Sequence, residues 1–389
     1  MTLSAKLPFS LNSLAKEWEL LCLCVSPSVD NTKIAELLTF ALDWNVLLEL
    51  GEEHGVLGIL ASRLQQVGFD GLPPSAREKL QARMRAQHLF TLSMTAELFR
   101  ILEDFSSSGI DCVLVKGPLL SLLAYGDPAV RSYVDLDLLV RHADILAASS
   151  RMIDLGFEPD IPMTVIEAGK IPGEYLFKRP GTTQIVELHT ERTFRYYPRP
   201  MPLHTLFARQ RRVTLDGREI PALRLEDEFV LNAIHGAKHF WERLMWVADI
   251  AALVARHPEI DWKILRKSAE DSGAGRMVRL ALQLAETLIR VPVPVPMADE
   301  VKADGTTLRL CRQVEQWLPS AGYDPPVLRE RAMFRMRMRG GFAGAAYLVR
   351  LSLSPTEEDW LEGAEDRRTG FWDAMQRPLR LLRKYRSRD

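Results

Sequence analysis

The segment V-D-L-D-L-L-V, residues 134–140, constrains this chain more than any other. Its apolar residues ask for burial in a sheet, while its two aspartates forbid an ordinary buried strand. Alternate side chains of a strand share a face. Val134, Leu136, Leu138 and Val140 would therefore point one way, and Asp135 and Asp137 the other. Neighbouring carboxylates repel, and burial strengthens the repulsion. Two arrangements relieve it: an edge strand with a solvated acidic face, or a divalent cation held between the carboxylates. Mg²⁺ takes carboxylate oxygens and leaves room for phosphate oxygens and water.

The surroundings add weight to the second arrangement. Residues 111–115, D-C-V-L-V, read as a short buried strand followed directly by Lys116, Gly117 and Pro118. Proline suits the first turn of a helix, where its missing N–H costs nothing. A strand, a Lys-Gly turn and a helix start form either a plain connection or a phosphate cradle, in which free N–H groups and the helix dipole meet an anion. Arg131, four residues before Asp135, serves equally as a phosphate clamp or as a partner of an aspartate. In Q-I-V-E-L-H, residues 184–189, period-2 alternation puts Glu187 and His189 on one face. If this strand lies beside 134–140, Glu187 joins Asp135 and Asp137 as a third carboxylate, a set that suits two-metal chemistry.

The run Lys-Gly, then R-x-x-x-D-x-D, then V-E-L-H resembles the uncharacterised nucleotidyltransferase family of the polymerase-β-type superfamily. Lys116-Gly117-Pro118 stands where the superfamily usually has Gly-Gly or Gly-Ser. Ser121, one turn later, is a poor substitute for that serine. The stretch H-G-A-K-H-F-W-E-R-L-M-W-V-A-D-I-A-A-L at 235–253 and the ending S-P-T-E-E-D-W…R-P-L-R-L-L-R-K-Y resemble later parts of the same family. The resemblance implies an Mg²⁺- or Mn²⁺-dependent enzyme that moves NMP from an NTP to an acceptor hydroxyl and releases pyrophosphate. It implies Asp135, Asp137 and Glu187 as catalytic metal ligands. Lys116, Gly117, Arg131, Lys238 and His239 would hold the nucleotide. A scaffold that has kept the fold but lost turnover is the alternative.

The expected fold class is α+β: a small mixed-sheet nucleotidyltransferase core between two helical regions. Residues 1–108 read as helical, 109–224 as the catalytic core and 225–389 as helical again. A long helix is predicted from about Ser75 to Phe105, with Leu89, Leu92, Met94, Leu98, Ile101 and Leu102 as core positions. Strands are predicted at 111–116, 133–140, 174–179, 183–190, 211–215 and 218–223, and helices at 118–125 and 142–155. Asp216-Gly217 is a hairpin signal, and 157–173 and 191–208 read as loops. The aromatic, basic T-F-R-Y-Y-P-R-P at 193–200 fits a structured loop or a base-stacking surface.

His235 and His239 share a helix face. Gly236 replaces the glutamate that a zinc-protease helix needs, so they are structural or, with Lys238 and Asp249, a wall facing the nucleotide. Trp241 and Trp246 read as core anchors. The net charge of −1 supplies no global field for nucleic acid. Arginine-rich 329–341 and the basic ending keep RNA contact open, although a small molecule, peptide or protein acceptor is favoured over RNA. Four scattered cysteines and no secretory signal point to the cytoplasm, and no apolar run is long enough for a membrane span.

Overall fold

The computed structural model describes residues 15–28, 31–68, 71–169, 173–190, 199, 202–320, 326–340, 344–346 and 349. The basic ending and nearly all of 193–200 lie outside these. Five helices come first: α1 (Ala15–Cys24), α2 (Asn31–Leu37), α3 (Trp44–Glu53), α4 (Leu57–Gln66) and α5 (Pro74–Ser107). The apolar residues between 37 and 50 divide between the end of α2 and α3, with 38–43 outside either helix. The Asp43 side chain accepts from the N–H groups of Asn45 and Val46, which caps α3 and separates it from α2. Cys22 and Cys24 pack inside α1 as apolar residues. In α5, Met94, Leu98 and Ile101 are buried, but Leu89 is 69% and Leu92 62% exposed. That correction has a simple cause. The C-terminal half of α5 packs on the sheet region, where Arg179 donates to Glu97 at 2.6 Å and Gln184 to Ser93 at 2.9 Å. Leu89 and Leu92 lie away from the buried stripe of Met94, Leu98 and Ile101.

The fold is α+β. Seven strands form one mixed sheet: β1 (Cys112–Val115), β2 (Leu136–Val140), β3 (Glu158–Pro159), β4 (Glu174–Lys178), β5 (Ile185–His189), β6 (Arg211–Leu215) and β7 (Arg218–Ala222). Their spatial order is β3-β4-β5-β2-β1-β7-β6. All five residues of β2 are buried, so this central strand is covered on both faces and its apolar run needs no alternation. It pairs antiparallel with β1, Val115 opposite Asp137, and parallel with β5, Asp137 opposite Glu187. The predicted strand at 133–140 begins later, at Leu136. Asp135 sits in the bend before it, and Val134 is exposed. Asp216 and Gly217 both have positive φ in the β6–β7 turn, as a two-residue hairpin requires.

Helices α6 (Gly117–Tyr125) and α7 (Ile145–Asp154) occupy the predicted places, α7 preceded by a 3₁₀ turn at His142–Asp144. The two segments read as loops carry more structure than expected: β3 and α8 (Met163–Glu167) in the first, α9 (Leu203–Ala208) in the second. Beyond the sheet, α10 (Leu225–Lys238) and α11 (Leu244–Arg256) reach back to it. They are followed by α12 (Trp262–Asp271), α13 (Gly275–Ile289), α14 (Val295–Ala303), α15 (Gly305–Trp317) and α16 (Leu328–Arg339). The acids opening α10 do more than complement its dipole. Asp227 pairs with Arg209 at 2.6 Å, and Glu226 accepts from the Asp261 N–H at 3.1 Å.

One buried residue ties the N-terminal helices to α11. His54 Nδ1 accepts from the Leu244 N–H at 3.3 Å, and its carbonyl accepts from the Met245 N–H at 3.1 Å. Burial, aided by the Arg243 charge, lowers the pKa of this imidazole from 6.5 to about 4. The unfolded chain therefore binds a proton that the folded chain refuses between these two values. The contribution of His54 to stability is complete above pH 6.5 and is lost as pH falls toward 4. Urea melts at pH 7.5 and pH 4.5 should show a larger loss for wild type than for His54→Gln, by about 2–3 kcal/mol. Equal losses would show that His54 is not the titrating group.

Candidate active site

The strand-to-helix turn after β1 is strained. Lys116 has φ 54° and ψ −142°, and Gly117 has φ +48°. Only glycine adopts the second easily, and its α-carbon faces the Asp135 carbonyl, which a Cβ would meet at 3.5 Å. Lysine in the first conformation costs on the order of 1–3 kcal/mol and persists only where its surroundings impose it. Glu228 of α10 supplies one constraint by accepting from the Lys116 N–H at 3.3 Å, while Asn232 donates to the same carboxylate oxygen at 3.1 Å.

This turn places the Lys116 ammonium 3.4 Å from Asp137 Oδ2. On the other side of Asp137, His189 Nε2 donates to Oδ1 at 2.7 Å and lies 3.2 Å from Glu187 Oε2. His189 Nδ1 is 3.9 Å from Glu174 on β4, and Glu174 is 3.5 Å from Lys238 at the end of α10. Signs alternate along this row: Lys116, Asp137, His189, Glu174, Lys238. Burial works against a charged His189, but the hydrogen bonds it donates to Asp137 and Glu187 lift its pKa to about 10. Burial also works against a charged Asp137. Lys116 and His189 outweigh it and hold that carboxyl well below the usual carboxylate range. Asp135 lies beside the row, and its pKa rises to about 6 through burial and the charges of Asp137 and Glu187.

Asp135, Asp137, Glu187, Lys116, Gly117, Arg131, Lys238 and His239 all line one cleft of about 500 Å³. The structure thus gathers every site residue read from the sequence. Their contacts differ in kind. The Arg131 guanidinium pairs with neither Asp135 nor Asp137; its Nε donates to Asp249 at 2.8 Å, and Tyr125 donates to the other oxygen of that carboxylate at 2.9 Å. Asp249 is therefore a buried partner behind the cleft wall. Ser121 is also buried, bonding the backbone of Asp127 and Arg131. Sequence reasoning passed over His189, Glu174 and Glu228. The shared face of Glu187 and His189 was the signal for the first. Nothing local marked the other two, since strand pairing and helix packing bring them in.

The donor set suits a hard divalent cation. Asp137, Glu187 and His189 bring candidate ligand atoms within 4.8 Å of one another, and of these the two carboxylates are ready donors, whereas His189 would first have to lose its Nε2 proton. The uncompensated charge around Asp135 is what a cation would relieve, and carboxylate oxygens are the donors Mg²⁺ prefers. The model of the uncharacterised nucleotidyltransferase family matches residues 41–290, more than half of the chain. The match takes in the whole sheet and the helices from α3 through α13, and it stops before the C-terminal ending that read as family-like. Among curated proteins none matches the chain.

The charge arrangement makes a testable statement about stability. An acid whose folded pKa is raised binds more protons folded than unfolded between its two values, here 3.8 and about 6. Its cost is absent below pH 3.8 and complete above pH 6. In EDTA, Asp135→Asn should raise the melting temperature by a few degrees at pH 7.5 and by less at pH 4.5. An unchanged or lower melting temperature at pH 7.5 would contradict the crowding of charge at this acid.

Proposed function

The chain belongs to the uncharacterised nucleotidyltransferase family, and from that premise we propose that it transfers NMP from an NTP to an acceptor hydroxyl, releasing pyrophosphate. The observation that carries this reading is the parallel register of β2 and β5, which sets Glu187 opposite Asp137 beneath the Lys116-Gly117 turn. Asp135, Asp137 and Glu187 would hold Mg²⁺ or Mn²⁺, which when bound would neutralise charge on the phosphate oxygens. Lys116, the Gly117 N–H and Lys238 bind the β- and γ-phosphates, and the buried Arg131 charge adds to the positive field of that wall. Glu187 orients the acceptor and takes its hydroxyl proton. The acceptor oxygen bonds to the α-phosphorus, the bond to the bridging oxygen breaks, and pyrophosphate leaves with that electron pair. Catalysis on this reading is mainly positioning and charge neutralisation.

The acceptor is a small molecule, peptide or protein rather than RNA, consistent with the neutral net charge. We place the protein in the cytoplasm, in keeping with four free, buried cysteines; among the described residues no helix is long and apolar enough to cross a membrane. One observation favours a second reading, a nucleotide-binding or scaffold protein without turnover: the His189 imidazolium already balances Asp137 and Glu187 from within.

Calorimetric titration with ATP, GTP, CTP and UTP, in Mg²⁺ and in EDTA, tests the nucleotide site, and release of pyrophosphate separates turnover from binding alone. Mg²⁺-dependent binding that disappears in Asp137→Asn, with an unchanged circular dichroism spectrum, supports the enzyme; transfer in that variant should fall by at least about 10²-fold. A folded wild type that binds no nucleotide in Mg²⁺ would bring the scaffold reading forward. Lys116→Ala should weaken triphosphate binding more than monophosphate binding, and an equal loss for both would make Lys116 structural.

A further inference from the structure

Three rings in the cleft have no part in the charge row. His235 of α10 and His239, which follows its last residue, lie with centroids 4.7 Å apart, and Trp246 of α11 meets them at 5.4 and 5.3 Å. All three line the cleft that holds the carboxylates, and none is fully buried. Trp241, five residues earlier, shows what a core anchor looks like here: it is 0% exposed. Trp246 instead keeps part of its indole open. Both tryptophans meet the core as expected, Trp241 fully buried in it and Trp246 packed against it while still lining the cleft.

We propose that His235, His239 and Trp246 form the platform on which the nucleobase of the bound triphosphate stacks, with Trp246 as its main contact. This rests on the nucleotide-binding reading above and adds where the base lies. Trp246 and His239 pack against each other at 34° with centroids 5.3 Å apart, and both rings line the cleft. Lys116 links these rings to the acids: it pairs with Asp137, and its charge is also felt by both imidazoles. Carboxylates, ammonium groups and aromatic rings thus share one cleft, as do cation, phosphates and base in a metal-bound nucleotide. Burial and the nearby lysines keep His235 and His239 uncharged, so the positive charge of the cleft stays on the lysines, where phosphates need it. A neutral imidazole carries one donor and one acceptor at its edge, which equips both histidines to meet polar atoms of a base.

Base–aromatic stacking contributes about 1–3 kcal/mol per base, so its removal reads as a loss of about five- to 150-fold in affinity. The test titrates wild type, Trp246→Leu and Trp246→Phe with Mg²⁺-ATP, Mg²⁺-GTP and Mg²⁺-tripolyphosphate, the last carrying phosphates without a base. Trp246→Leu should lose at least about fivefold for the nucleotides and nothing for tripolyphosphate, while Trp246→Phe keeps most of the nucleotide affinity. Unchanged nucleotide affinity in Trp246→Leu, or an equal loss for both ligand types, overturns the platform and leaves the phosphate site standing. Wild type that binds none of these ligands removes the nucleotide reading and the platform with it. Should Trp246→Leu fold poorly, tryptophan fluorescence decides the same point. Mg²⁺-ATP, but not tripolyphosphate, should quench a component present in wild type and missing in Trp246→Phe; quenching that is identical in both proteins overturns the proposal.

Discussion

Gathering carboxylates on the central strands of an apolar sheet is the constraint around which this molecule is organised. Asp137 is buried, and β5 sets Glu187 directly across from it. Like charges at that separation are tolerated only if opposite charges are interleaved at close range. The chain does this with residues from four elements. Lys116 comes from the turn after β1, His189 from β5, Glu174 from β4 and Lys238 from the end of α10. The row closes on itself electrostatically except at Asp135, which stands at the bend before β2 and carries the raised pKa. The one acid left in excess is also among those best placed for a ligand cation. A site built for permanent charge balance would have had no reason to leave it so.

Each member of the row depends on a second set of buried contacts. The strained Lys116 turn leans on Glu228, so the start of α10 fixes where β1 hands over to α6. Arg131 and Asp249 form a buried pair between the segment before β2 and α11, completed by Tyr125 of α6. Removing one partner of such a pair leaves an uncompensated buried charge, which costs about 3–5 kcal/mol, more than the pair itself contributes. This makes Arg131 a residue that locks α6, α11 and the approach to β2 into one arrangement. Its charge still reaches the cleft, and its guanidinium is not free to follow a ligand. The His54 bridge extends the same logic to the N-terminal helices, since it pins the start of α11 and with it Met245 and Trp246 in the cleft wall.

Much of this was legible in the sequence because local rules carried it. The D-x-D within an apolar run, the Lys-Gly-Pro turn and the alternation of V-E-L-H needed no tertiary information, and the strand pairing they required is the one the sheet adopts. Asp216-Gly217 announced its hairpin for the same reason. The misses share a cause as well. Leu89 and Leu92 fit the helical period of α5, but a 34-residue helix is covered along different stripes at its two ends, and periodicity alone does not say where cover stops. Glu174 and Glu228 carry no signature of their own, being one acid on an ordinary strand and one among three in a helix's first turn. Trp246 reads like Trp241 in sequence; only the packing of α11 against α10 separates the buried ring from the open one.

That separation is made at the end of α10, where the backbone takes an unusual course. Phe240 and Trp241 both have positive φ, a conformation that side chains of their size avoid. The turn is held by the Trp241 ring, which packs onto α10 at Gly236, where an added Cβ would lie 2.6 Å from the indole. A glycine in mid-helix lowers helix stability by about 1 kcal/mol, and two strained residues cost more again. Both disadvantages serve one outcome. The Trp241 indole goes inward as a fully buried wedge, while Lys238 and His239, one turn earlier, are left facing the cleft beside Trp246. An ordinary helix cap at the same place would satisfy the backbone at lower cost, but nothing in it would drive a tryptophan back beneath the helix. The strain therefore belongs with the site: the fold accepts local instability at the Lys116 turn and at the Phe240-Trp241 turn, the two points from which the cleft receives its cations and its rings.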